Sequence, residues 1–94
     1  MKKGIIIIGT ITILLGGSSV ALASKHKVNV EGGTWSYGVG SKYVYSNYYH
    51  KSKTHKSSVI GKTTNSSGWT RKGVTSKASA QKKLSGNKSY YDVK

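Results

Sequence analysis

The chain has no cysteine, no proline and no phenylalanine, and only two acidic residues, Glu31 and Asp92, among its 94. Without cysteine there is no disulfide framework, no thiol nucleophile and no lipidated cysteine, and the cysteine-rich structural zinc sites are excluded. Glu31 and Asp92 lie far apart in the chain, so nothing in the sequence demands the close carboxylate pair of a glycosidase. No strand–turn–helix nucleophile elbow and no Walker-type glycine loop is present. A Ser–His pair can be drawn in any serine-rich chain and carries no information. The expectation is a protein without catalysis, cofactor or metal.

What is present begins with an export signal. Lys2 and Lys3 precede an uncharged apolar stretch from Gly4 to Leu15, then Gly16-Gly17-Ser18-Ser19 and the small-x-small pattern Ala21-Leu22-Ala23. This is the order of a Sec-type signal peptide, with cleavage expected after Ala23. The competing reading, an uncleaved membrane anchor, wants about twenty mostly apolar residues, and this stretch is shorter and interrupted by Gly and Thr. The expected organisation is a cleavable signal helix over residues 1–23, a flexible basic arm over 24–33 and one domain over 34–94, released outside the cell.

Loss of Lys2 and Lys3 with the signal lowers the formal net charge from +14 to +12. That excess goes beyond what solubility asks of a small domain, and it draws the protein towards anionic polymers and membrane faces. The aliphatic supply is thin, so Trp35, Trp69 and the seven tyrosines must supply much of the apolar surface. A core this small without staples is marginal alone, which makes self-association, a possible homodimer, a reasonable expectation.

From Thr34 the pattern has period two: Trp35, Tyr37 and Val39 alternate with Ser36 and Gly38, the mark of a half-buried strand. Gly40-Ser41 makes a turn into Tyr43-Val44-Tyr45, which continues to His50. Ser58-Val59-Ile60 gives a short third strand, Thr63 to Gly68 has loop composition, and Trp69 to Val74 is a candidate fourth strand. Thr75 to Lys83 alternates like a strand although Ala-Gln-Lys-Lys-Leu also suits a helix. A hairpin turn at Ser85 to Lys88 then leads into Ser89 to Val93. Five or six short strands with Gly- and Ser-rich turns predict an all-β fold, a small antiparallel β-sandwich.

The densest feature runs from Trp35 to Lys56. Six of the nine aromatics lie between Trp35 and Tyr49, followed by His50, Lys51, Lys53, His55 and Lys56. Aromatic faces beside cations suit ligands that carry phosphates and flat or sugar-like faces. On the sequence alone the tyrosines serve equally well as core. Nucleic acid is disfavoured, because the signal sends the chain out of the cell and Arg71 is the only arginine, the residue suited to bidentate phosphate and base readout. A membrane-disrupting amphipathic helix is excluded by the period of two. His50 and His55 sit among lysines, which repel a metal ion.

Glu31-Gly32-Gly33-Thr34-Trp35 and then Tyr45-Ser46-Asn47-Tyr48-Tyr49-His50-Lys51-Ser52-Lys53-Thr54-His55 resemble the signature of the lactococcin 972 family of bacteriocins. The similarity continues loosely through Ser58-Val59 to the tyrosine pair Tyr90-Tyr91. The chain departs from the family in ending Asp92-Val93-Lys94 and in its lysine-rich middle from Gly61 to Lys83. The resemblance implies a Sec-exported antibacterial β-sandwich that can act as a homodimer, that binds the cell-wall precursor lipid II at the outer membrane face and that blocks septum synthesis. A producer then carries dedicated immunity and export membrane proteins. The residues expected at the ligand-binding surface or its immediate scaffold are Trp35, Tyr45, Tyr48, His50, Lys53 and His55, with Arg71 added. The alternative from another class is a non-toxic protein held to teichoic acid or the wall by charge alone.

Overall fold

The two-residue turn Glu31-Gly32 sets the first hairpin. Both residues have positive φ, 52° and 84°, the type I′ geometry whose twist matches that of flanking strands. It joins β2 (Ser24–Val30) to β3 (Gly33–Val39), with Val30 opposite Gly33. β3 runs through the Gly40 turn into β4 (Tyr43–Tyr49), and β5 (His55–Ile60), β6 (Thr64–Ser66), β7 (Ser76–Gln81) and β8 (Lys88–Val93) follow. The computed structural model describes Lys2–Ile7 and residues 24–94. Lys2–Ile7 is a strand, β1, antiparallel to β8. A signal helix is thus not formed over these residues, where β-branched Ile5, Ile6 and Ile7 favour extended backbone. The rest of the signal and the expected cleavage site at Ala23 lie outside the described residues.

All pairings are antiparallel, in two sheets of order β1-β8-β5-β6 and β2-β3-β4-β7. The protein is the β-sandwich that the alternation predicts. Trp35, Tyr37, Val39, Val44, Tyr48, Val59, Ala78, Ala80, Tyr91 and Val93 form the core between the sheets. Trp35 stacks on Tyr37 at 4.0 Å between ring centroids and meets Tyr91 edge-on at 4.8 Å.

Buried serines complete what the scarce aliphatics cannot. Ser46 Oγ donates to Tyr90 O at 2.8 Å and Ser89 Oγ donates to Tyr45 O at 3.0 Å, so each sheet bonds the backbone of the other. Ser57 and Ser76 hydroxyls lie 2.7 Å apart, and Ser76 Oγ also donates to Tyr48 O at 3.1 Å. Such groups are tolerable in a core only because each finds a partner.

Three local expectations are corrected. The basic arm expected over 24–33 is the edge strand β2 and its turn, because Val28 and Val30 give it a pairing partner in β3. Trp69 to Val74 is a loop with one isolated bridge, Thr70 to His55, since Gly68 and Gly73 at φ 74° and 83° turn the chain on either side. The Ser85–Lys88 turn does not make a hairpin: β7 and β8 lie in different sheets. Buried Asn87 shapes this crossing, accepting from Lys83 N at 2.7 Å and donating to Lys83 O at 3.0 Å.

Candidate functional site

One end of the sandwich gathers the β2–β3 turn, the connection 50–54 and the loop 69–75 around two buried histidines. His50 follows β4 directly. Its Nδ1 accepts the N–H groups of Ser52 and Lys53 at 3.1 and 3.0 Å, which fixes the tautomer, so Nε2–H donates to Glu31 O at 3.0 Å. His50 O in turn accepts from Gly73 N at 2.8 Å. His55, fully buried at the start of β5, places Nδ1 2.8 Å from Lys53 O and Nε2 2.6 Å from Val74 O. A ring carrying both N–H groups satisfies both carbonyls, a neutral ring only one. The histidines are backbone staples in a chain that has no disulfide.

Glu31 is the third tie. It is the one non-glycine described with positive φ, a conformation costing about 1 kcal/mol for an L-residue. Its surroundings hold it there: His50 takes its carbonyl, and its carboxylate Oε2 accepts from Tyr91 Oη at 2.8 Å. Tyr48 Oη donates to Val30 O at 2.8 Å just below. Burial pushes the Tyr48 phenol up to about 12, assisted by the Glu31 charge. Burial, and then the bond to Glu31, also raises the Tyr91 phenol well above its ordinary value.

Both shifts favour the neutral ring in the folded protein. The stability they represent is complete below the unfolded value of 10.0 and is lost as pH rises through about 12. The urea midpoint should therefore hold up to about pH 10 and fall beyond it. Tyr91→Phe, lower at neutral pH for want of the Glu31 bond, should show a shallower alkaline fall. A Tyr91→Phe curve parallel to the parent above pH 10 would remove Tyr91 from this explanation.

Over this scaffold the surface is basic. Lys51, Lys53, Arg71 and Lys72 are exposed on the two loops that the histidines hold. A cleft of about 410 Å³ is lined by Asn29 to Thr34, Tyr49 and, of these four cations, Lys51. Tyr49 is 40% exposed and offers the cleft an aromatic wall. Among the described residues no group of three His, Cys, Asp or Glu could hold a metal ion.

The residues expected at the site divide accordingly. Lys53 and Arg71 are on the surface of this end. Trp35, Tyr48, His50 and His55, at 1%, 0%, 3% and 0% exposure, are buried, so of the two places expected for them, surface or immediate scaffold, they take the scaffold. Trp35 lies deeper, its Nε1 donating to Ser46 Oγ at 2.8 Å. Tyr45 is half-buried on the outer face of the β2-β3-β4-β7 sheet, opposite Gly38 and Ser79, away from the loop end, and its phenol is raised by burial. Tyr49 and Lys51, which line the cleft, are not among the expected residues. Tyr49 could have been found by parity, since Val44, Ser46 and Tyr48 alternate with it.

The family model for the lactococcin 972 bacteriocins matches residues 31–91, from the Glu31 turn to Tyr91. The chain belongs to the lactococcin 972 bacteriocin family. No curated protein and no solved structure matches it. The matched segment begins and ends on the two residues joined by the Glu31–Tyr91 hydrogen bond, so it spans both sheets and the whole histidine-held end. A bacteriocin role follows from membership in this family.

Proposed function

We propose that the protein is secreted through its Sec-type signal and arrests growth of related bacteria by capturing lipid II at the outer membrane face, without a catalytic step. The observation that carries the reading is the basic loop end, ordered in advance by His50 and His55 beside an aromatic-walled cleft. Pre-ordering matters because loops that must be immobilised on binding cost affinity, and here the backbone bonds already hold them. Lys51, Lys53, Arg71 and Lys72 supply positive charge for a pyrophosphate, and Tyr49 supplies a flat face for a sugar. Both His50 ring nitrogens and both His55 ring nitrogens are engaged by backbone groups, which leaves neither as a free proton shuttle and supports binding rather than turnover.

The reading is tested by following labelled wall-precursor incorporation and membrane potential together in treated cells. Incorporation at the septum should stop within one generation while the potential persists. Collapse of the potential before incorporation slows would replace precursor capture with membrane permeabilisation.

A further inference from the structure

Alternation sorts the β2-β3-β4-β7 sheet into a core face and an outer face. Along β4, Val44, Ser46 and Tyr48 are buried, so Tyr43, Tyr45, Asn47 and Tyr49 stand outward. Cross-strand partners share a face, so the register extends this one sideways in rows. One row reads Lys27, Ser36, Asn47, Lys77, and the next reads Lys25, Gly38, Tyr45, Ser79. Lys25, Lys27 and Lys77 are exposed, and Tyr43 and Tyr49 end the β4 ridge at 50% and 40% exposure. Tyr49 also walls the cleft, so ridge and cleft are continuous.

Two features set this face apart from an ordinary solvated sheet. Its central tyrosine has small neighbours: Tyr45 lies between Gly38 and Ser79. Gly38 is buried although it faces outward, as a glycine is where a cross-strand aromatic lies over it. A ring laid down in this way shows its flat side to solvent. The second feature is charge of one sign. The chain's two acids are elsewhere, Glu31 in its turn bonded to Tyr91 and Asp92 in the opposite sheet. Lys27 and Lys77 flank Asn47 across three strand spacings, about 14 Å. Asn47 is midway between Tyr45 and Tyr49, themselves about 14 Å apart along β4. Ring, paired cations and ring is the order that suits a chain of sugar, phosphate and sugar. The ridge from Tyr43 to Tyr49 is about 20 Å long, more than one sugar occupies, which selects a polymer over a monomer.

We propose that this face binds an anionic glycopolymer, a chain of sugars joined through phosphodiesters. The polymer lies along β4, with sugars on the Tyr43–Tyr45 end and on Tyr49. A phosphodiester sits between the Lys27 and Lys77 ammonium groups and accepts from the Asn47 amide. The lysines attract the polymer and the rings set its register, which distinguishes this site from retention by charge alone. Binding here is separate from precursor capture at the loop end: it holds the secreted protein within a polymer-filled wall on its way to the membrane.

The test is calorimetric titration of the secreted protein with a purified wall teichoic acid that carries N-acetylglucosamine, in moderate salt, where binding by charge alone is screened. Polyphosphate of equal phosphate content, which has no rings, should bind at least tenfold more weakly. Lys27→Ala/Lys77→Ala should weaken teichoic acid binding at least tenfold. Lys88→Ala/Lys94→Ala removes the same charge from β8 and its end, in the opposite sheet, and should change binding less than twofold. Tyr45→Ser should weaken binding at least fivefold. Tyr43→Ser, at a half-exposed ring, should also weaken it with the urea midpoint unchanged, which separates lost stacking from lost folding. Polyphosphate that binds as tightly as the teichoic acid overturns the proposal. So do equal weakening by the two lysine pairs, tyrosine variants that bind like the parent, and no binding to the parent at all. Relief of growth inhibition by lipid II is read separately, so either site can fail without the other.

Discussion

Trp35→Ala should leave the protein largely unfolded at 37 °C, whereas Trp69→Ala should fold like the parent. Trp35 is 1% exposed, stacks on Tyr37, meets Tyr91 edge-on and donates to Ser46, which donates on to Tyr90 in the other sheet. Removing a buried aromatic of this size costs about 3–5 kcal/mol. A domain of this length has only about 4–10 kcal/mol in total, and no disulfide limits the entropy of its unfolded state. Trp69 is 41% exposed and packs against lysine ammonium groups rather than the core, so its loss should cost less than about 1 kcal/mol. Near-ultraviolet circular dichroism and urea midpoints of the two variants provide the comparison. Equal destabilisation by the two substitutions would contradict the placement of the core.

The second large effect is expected at Gly33. A Cβ there would run into the Tyr49 carbonyl oxygen and lie 2.8 Å from two ring carbons of Tyr48. The backbone oxygen belongs to β4 and cannot step aside without breaking the β3–β4 ladder, so Tyr48 must move and lose its bond to Val30 O. Gly33→Ala should cost about 1–3 kcal/mol from overpacking and should deform the cleft, lowering growth inhibition per folded molecule. Gly40→Ala is the control, since its Cβ meets only Tyr43 O, at 3.7 Å. A Gly33→Ala protein as stable and as active as Gly40→Ala would mean that the strands do not approach this closely.

The core was readable where one rule governed it. The alternation of Trp35, Tyr37 and Val39 put three residues inside, and all three are there. Ala78 and Ala80 alternate in the same way and their segment is a strand, although the hairpin turn at Ser85–Lys88 that favoured a strand over a helix there is a crossing between sheets. The sequence did not reveal sheet membership at the β7–β8 connection, because a Ser-Gly-Asn turn serves a hairpin and a crossing between sheets equally well. It also hid the histidines. His50 and His55 stand among lysines, which suits surface or hydrogen-bonding histidines alike; burial follows from what their ring nitrogens meet, and those partners come from positions 31 and 74 as well as from nearby residues. Trp69 erred in the other direction: a tryptophan scored as core material is on the surface because its loop is bridged to β5 only at Thr70. Tyr48, His50 and His55 of the family motif are therefore buried supports of the loop end.

The most direct measurement is growth inhibition by the protein recovered from the medium of producing cells, titrated with purified lipid II. Precursor capture predicts that inhibition disappears as lipid II approaches the molar amount of protein, and that an uncharged lipid at the same concentration has no effect. Inhibition that persists at a large excess of lipid II would contradict capture of this precursor.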